Sequence, residues 1–342
     1  MKKIFLIGLT AAAMLASCSN DETVEMAQQK AIGFSNAFVN NGTRSVVDPS
    51  FTTSTLSDFA VYGFTQNGQI FNGEKVSKGG AASTGWSYDN VQYWVPGNTY
   101  TFGAIAPHSA ANVSDVKLPA GATKVEMKVA FTNTDANQVD LLHAEPAQIT
   151  GVTASYTEPV SMTFNHQLSK VKFSFENAVG VGYNVKVSNV KITNAYANGT
   201  LTVAAAGNNW SDQTNQNLEL NFGNVVNDAS GTEAANIAFN ETLESYNEKL
   251  MIPMGGSATY TVTFTAELYK GNVLLGIYDH TVEIKNVEFK LGYCYNFKAS
   301  LTHKNITGPD ELNEIKFNVT SVGNWNKEAD KNLNVPTTHS GI

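Results

Sequence analysis

The chain is patterned for strands almost from end to end. Apolar residues alternate with polar ones, Thr, Val, Tyr and Phe supply most of the alternating positions, and Gly, Asn and Asp break the runs at short intervals. In KVEMKVAF the apolar positions are Val125, Met127, Val129 and Phe131; in SKVKFSFENA they are Val171, Phe173 and Phe175. A period of two puts such residues on one face of a strand. DFAVYGFTQNGQIFNG reads as a hairpin: Phe59, Val61 and Gly63 alternate, Asn67-Gly68 turns, and Ile70 and Phe71 return. VQYWVPGNTYTFGAIAP is strand–turn–strand around Pro96-Gly97, and TYTVTFTAELYKGNVLLGIYDHTVEI is two long strands around Lys270-Gly271-Asn272. YCYNFKASL and EIKFNVTSV add two more. Helical signals are scarce. Only NETLESYNEKL, with Asn240 as a cap candidate, has some helical spacing, and it reads equally as a loop.

Many short strands with regular turns imply an all-β fold of β-sandwiches, and 342 residues suit about two domains. SYTEPVSMTF looks like the last strand of one unit and NHQLSKVKFSF like the opening of the next. The expected division is therefore 45–165 for an N-terminal domain and 166–342 for a C-terminal domain, the latter ending in a possible donor-strand tail.

The first residues follow a different pattern. MKKIFLIGLTAAAMLASC has a basic start, an apolar run from Ile4 to about Ala16 and a small-residue approach to Cys18. This is a secretory signal over 1–17, too short to span a bilayer. The ending LASC resembles the lipobox of bacterial lipoproteins, which implies that Cys18 is acylated and tied to membrane lipid without spanning it. The one other cysteine, Cys294, lies in the alternating run YCYNF and reads as a buried, inert thiol.

Charge narrows the partners. The net charge is −8, and Arg44 is the only arginine; all other basic side chains are lysine. An acidic chain with no basic stripe does not bind nucleic acid through phosphate neutralisation. Catalytic motifs are missing from the sequence: there is no Gly-rich phosphate loop, HExxH, CxxC or GxSxG, and SNVK (Ser188 to Lys191) falls in an alternating strand where the SxxK chemistry needs a helical turn. An enzyme is not indicated, and neither cofactor nor metal is called for. Asp140, His143 and Glu145 cluster in QVDLLHAEP, but strand spacing places Asp140 on one face and the other two on the opposite face. The aromatic stretch GWSYDNVQYWVPG offers Val91, Tyr93 and Val95 on one face and Gln92 and Trp94 on the other. Core packing is the favoured reading, with a glycan platform built on Trp86 or Trp94 as the alternative.

Several segments in order carry a family resemblance: LASC, AIGFSNAF, a turn ending GTR, YWVPGNTYTFGAIAP, VDLLHAEP, VSMTFNHQLSKVKFSF, VSNVKITNAYANGTLTV, KLGYCYNFKASL and IKFNVTSVGNW. Together they resemble the fimbrillin family, the type V pilins and Mfa-like proteins of Gram-negative anaerobes, over nearly the whole chain. Gln167 stands where the family pattern has alanine, and Gly103 where an aromatic residue is common. The resemblance implies two transthyretin-like β-sandwich domains in tandem. It also implies export to the outer membrane as a lipoprotein and cleavage by an arginine-specific protease beyond the first strand. The strand then departs, and the vacant groove is filled by the C-terminal strand of another fimbrial subunit, building a fimbrium at the cell surface that supports cell adhesion.

The residues can be read against that route. AIGFSNAF puts Ile32, Phe34 and Phe38 on one face, interrupted by Asn36, as a half-buried strand does. Losing it would leave unpaired backbone and an apolar trench, which is a docking site for a partner strand. NNGTR is a turn by composition, open to a protease, so cleavage is expected between Arg44 and Ser45, with 18–44 as the propeptide. The donor is open: Ile315, Phe317 and Val319 alternate and form either a donor or the last core strand, whereas the tail offers Leu333 and Val335 as anchors before Pro336 ends any ladder. Shaft, tip and anchor positions all remain open. A second class of function is a lipoprotein adhesin that keeps its anchor and binds host glycan or protein without polymerising.

Overall fold

The computed structural model describes residues 30–39, 56–79, 85–109, 112–136, 138–227, 232–254, 258–307 and 315–324. In chain order the first strands are β1 (Phe34–Val39), β2 (Asp58–Thr65), β3 (Gly68–Lys78), β4 (Trp86–Ser87), β5 (Tyr100–Ala106), β6 (Asn112–Lys117), β7 (Glu126–Thr132), β8 (Leu142–Ala144) and β9 (Val160–His166). There follow β10 (Ser169–Asn177), β11 (Tyr183–Ala195), β12 (Asn198–Val203), β13 (Asn209–Thr214), β14 (Leu218–Gly223), β15 (Val225–Val226), β16 (Thr242–Ser245) and β17 (Lys249–Met251). The last elements are β18 (Ala258–Lys270), β19 (Val273–Val287), β20 (Tyr293–Leu301), a one-turn helix α1 (His303–Thr307) and β21 (Phe317–Asn324). The fold is nearly all β, as the alternation requires. The helical spacing around Asn240 is overridden: that segment forms β16 and β17, which pair with β10.

The strands form four sheets. One runs β1-β9-β8-β5-β2-β3-β4 and faces a sheet ordered β13-β12-β7-β6; the other pair is β15-β16-β10-β20-β21, with β17 also on β10, and β14-β11-β18-β19. β18 shows why the sequence does this. Ala258, Tyr260, Val262, Phe264, Ala266 and Leu268 are buried while the intervening threonines face outward, so a strict period of two covers one core. Pro96-Gly97 turns as expected, Gly97 at φ 81°, while the first hairpin turns one residue earlier than expected, at Gln66-Asn67, with Gly68 already paired to Thr65 as the first residue of β3.

Strand order does not follow the division of the chain at 165/166. β12 and β13 lie beyond that point, yet β12 pairs with β7, Leu201 opposite Val129 and Gly199 opposite Phe131. Residues 166–342 therefore do not all lie with the C-terminal sheets. The physical reason is a shared core: Ala60, Tyr62, Ile105, Met127 and Val129 pack with Leu168, Leu201, Trp210, Leu250 and Ile252. Alternation within each strand says that a face is buried, but not which strand covers it. Polar contacts fasten the same junction. Trp210 Nε1 donates to the Gln167 carbonyl at 2.7 Å, and Asn208 Nδ2 donates to Gln167 Oε1 at 2.9 Å. Lys170–Glu248 (2.9 Å) is a nearly buried ion pair beside it, and Lys249–Asp135 (2.8 Å) is a second whose carboxylate is partly exposed. Gln167, the departure from the family pattern, thus has a structural task. Gly103 has another: a Cβ there would stand 3.2 Å from both Met127 Cε and Val125 Cβ, so an aromatic side chain is excluded by the close approach of the facing sheet.

The groove around the first strand as candidate functional site

The seven-stranded sheet curls so far that its first strand reaches the opposite margin. β1 pairs in parallel with β9, Phe34 opposite Val160 and Ser35 opposite Ser161, with a register shift before Phe38 meets Thr163. On its other side the segment just before β1 meets residues 92–94. Ile32 N–H donates to the Gln92 carbonyl (2.8 Å), Trp94 N–H donates to the Lys30 carbonyl (2.9 Å), and Ala31 bridges Tyr93. Val160 N–H donates to the Gly33 carbonyl at 2.8 Å. Tyr88 donates its hydroxyl to the Ile32 carbonyl at 2.6 Å, and burial pushes that phenol up, so it stays a protonated donor. Residues 30–35 are thus laced into the protein on both sides.

The side chains go deeper than the backbone. Ile32 is 1% exposed and Phe34 5%. The Phe34 ring lies 5.9 Å from Phe59, 5.8 Å from Phe71, 5.6 Å from Tyr88 and 6.2 Å from Phe102, centroid to centroid, all edge-on. These belong to β2, β3, the loop after β4 and β5, so one side chain of the first strand touches four separate segments. Burying an aromatic side chain of this size stabilises by about 2–3 kcal/mol from area alone.

The other residues singled out in the sequence fall as follows. Cys18, Arg44, Ser45, Leu333 and Val335 lie outside the described residues. Phe38 is in β1 by its backbone pairing. Ile315 is buried, and Phe317 and Val319 sit on β21, which pairs antiparallel with β20 of the same chain, Phe317 opposite Ala299 and Val319 opposite Phe297. Phe317 packs on Phe173, Phe175 and Phe264 at 5.3, 5.7 and 6.2 Å. The first and last strand candidates are therefore not brought together; each completes a different sheet.

The charged cluster separates into private contacts. Asp140 Oδ2 meets His166 Nδ1 at 2.7 Å, Lys124 meets Glu145 at 2.6 Å, and His143 Nδ1 accepts from Asn208 at 3.1 Å. His143 is buried with no hydrogen-bond partner on Nε2, and burial pushes its pKa down to about 4, so it is neutral at physiological pH. Ser188 and Lys191 lie on β11 across a register shift, and Lys191 pairs with Glu219 at 2.7 Å. Cys294 is half-buried, and its thiol is pushed up to about 11 by burial. Trp94 is buried against Tyr100 and Tyr156, and Trp86 is half-buried on Phe59. The reverse face carries the exposure: Val91 is 45%, Tyr93 47% and Val95 41% accessible.

A fimbrillin-like family profile matches residues 43–325, most of the chain. The chain belongs to the fimbrillin-like family. Its fold is similar to that of a fimbrial protein from Bacteroides vulgatus ATCC 8482, at 14% identity and a TM-score of 0.61, covering 86% of this chain and 99% of that one. It is also similar to a candidate cell adhesion protein from Bacteroides ovatus ATCC 8483, at 16% identity and a TM-score of 0.50, covering 87% and 98%. A search of curated proteins gives no match. In this fimbrillin-like chain, the residues that the sequence reading missed are those around Phe34: Phe59, Phe71, Tyr88 and Phe102. Each was visible as an apolar strand or loop position, but their convergence required the curl of the sheet.

Proposed function

We propose that this fimbrillin-like chain is a non-enzymatic fimbrial subunit that supports cell adhesion at the surface. It is exported as a lipoprotein on Cys18, is cleaved after Arg44 and polymerises by strand exchange. One observation carries the reading: the segment from Lys30 to Ser35 is hydrogen-bonded on both sides and buries Ile32 and Phe34, although it precedes the lone arginine in sequence. A cut after Arg44 would sever the covalent tie of a strand that the rest of the protein holds only by hydrogen bonds and packing. Its departure would leave the β9 edge and residues 92–94 unpaired above an apolar trench, a template for a strand from another subunit.

The experiment is the mass and N-terminal sequence of the protein released from the cell surface. A chain beginning at Ser45, within sodium dodecyl sulfate-resistant multimers, is the expected result. A chain still beginning at acylated Cys18 and recovered as a monomer would overturn it, leaving an anchored lipoprotein in place of a polymerising subunit.

A further inference from the structure

Phe34 occupies a cage of rings. Phe59, Phe71, Tyr88 and Phe102 surround it at 5.6–6.2 Å with interplanar angles between 64° and 88°. Edge-to-face geometry on four sides favours an aromatic guest, because each contact sets a ring edge against a ring face. An aliphatic side chain of smaller breadth would fill the cage less well and lose those contacts. Gly63 is part of the construction. A Cβ there would stand 2.8 Å from Phe71 Cδ2 and 3.0 Å from the Phe102 ring, so its absence lets those two rings close on the cage. Two residues earlier, Ile32 is buried in the same core. Between them, a Cβ on Gly33 would meet only Pro159, at an ordinary 3.5 Å, so the intervening position tolerates a side chain.

We propose that this cage makes the groove selective. Resting on the reading that the first strand is lost, it accepts from a partner subunit a strand with an aliphatic residue followed two positions later by an aromatic ring. The pair is read in the same direction as Ile32-Gly33-Phe34, parallel to β9. The criterion discriminates between the two donor candidates within this type of chain. Residues 325–342 contain Leu333-Asn334-Val335, two aliphatic positions, and their one aromatic residue, Trp325, follows Gly323 at that spacing. Ile315-Lys316-Phe317 reproduces the pair, with lysine at the tolerant position. The complement of the groove is therefore a strand of the β21 kind from a partner, not a segment resembling 325–342.

The test uses the full chain nicked after Arg44 by an arginine-specific protease and incubated with excess synthetic peptide. Native mass spectrometry reads the fraction of protein in which the peptide has replaced the original first strand. The peptides are residues 30–39, the same with Phe34→Leu or Phe34→Ala, residues 313–322, and residues 325–342. We expect the 30–39 and 313–322 peptides to exchange in, the Leu and Ala forms to reach at least tenfold lower apparent affinity, and 325–342 to stay out. Equal uptake of the Leu form, or uptake of 325–342, would overturn the selectivity while leaving strand exchange intact. If even the 30–39 peptide fails to enter, both the exchange reading and the selectivity fall.

Discussion

The first and last described strands of this protein make a controlled comparison. Both carry an Ile-x-Phe pair, Ile32 and Phe34 against Ile315 and Phe317, and both lie at the end of a sheet order. Their surroundings differ. The first strand is closed in by β9 on one side and residues 92–94 on the other, with Phe34 ringed by four aromatics. β21 has β20 alone, and Phe317 is only partly buried. Removing β21 would leave an ordinary edge; removing the first strand would leave a slot. The same short pattern is thus a plug in one place and a border in the other, and what decides is whether the sheet curls back to meet it.

The contrast can be broken most forcefully at Phe34. Phe34→Ala in the intact chain should cost about 3–5 kcal/mol, since it empties a fully packed ring site. Urea unfolding at neutral pH would read this, and a loss below that of a surface substitution would mean that the first strand is not integral. Acid offers a second probe of the sheet that holds β1, because His143 lies on β8 of that sheet. Its folded pKa of about 4 is below its ordinary 6.5, burial being the main cause, ahead of Glu145, which raises it, and Lys124, which lowers it. The folded state resists the proton, so stability is full above pH 6.5 and falls as pH drops towards 4, by about 3 kcal/mol in all. Unfolding curves at pH 7 and pH 4.5 check the slope, and His143→Gln should flatten it.

A smaller loss, about 2 kcal/mol, is expected for Phe317→Ala, since the ring is only partly enclosed. If Phe317→Ala proves as damaging as Phe34→Ala, the plug-and-border distinction fails. The least effect should come from Cys294, beside β21 on β20. With its thiol at about 11 against an ordinary 9.0, alkylation at pH 8 should run roughly a hundredfold slower in the folded chain than in urea. Equal rates would show that the β20–β21 margin opens freely.

Much of this protein was legible in the residues. The all-β class, the hairpin of β2 and β3 (though its turn falls at Gln66-Asn67, one residue early), the turn at Pro96-Gly97 and the burial of Ile32 and Phe34 all follow from period-two alternation and turn chemistry, which act over a few neighbouring residues. The family resemblance was carried by short segments in order, and the profile over 43–325 agrees with it. Three things were decided by the tertiary structure. Alternation could not tell that Trp94, not Val91, Tyr93 and Val95, would turn inward, because it marks two faces without saying which one is covered. It could not place β12 against β7 across the expected domain division, because pairing between distant strands is chosen by shape and burial over the whole core. Nor could it assemble Phe59, Phe71, Tyr88 and Phe102 around Phe34, since that cage exists only where a sheet curls until its first strand meets its far margin. Local physics chose the strands; long-range packing chose which of them encloses a slot.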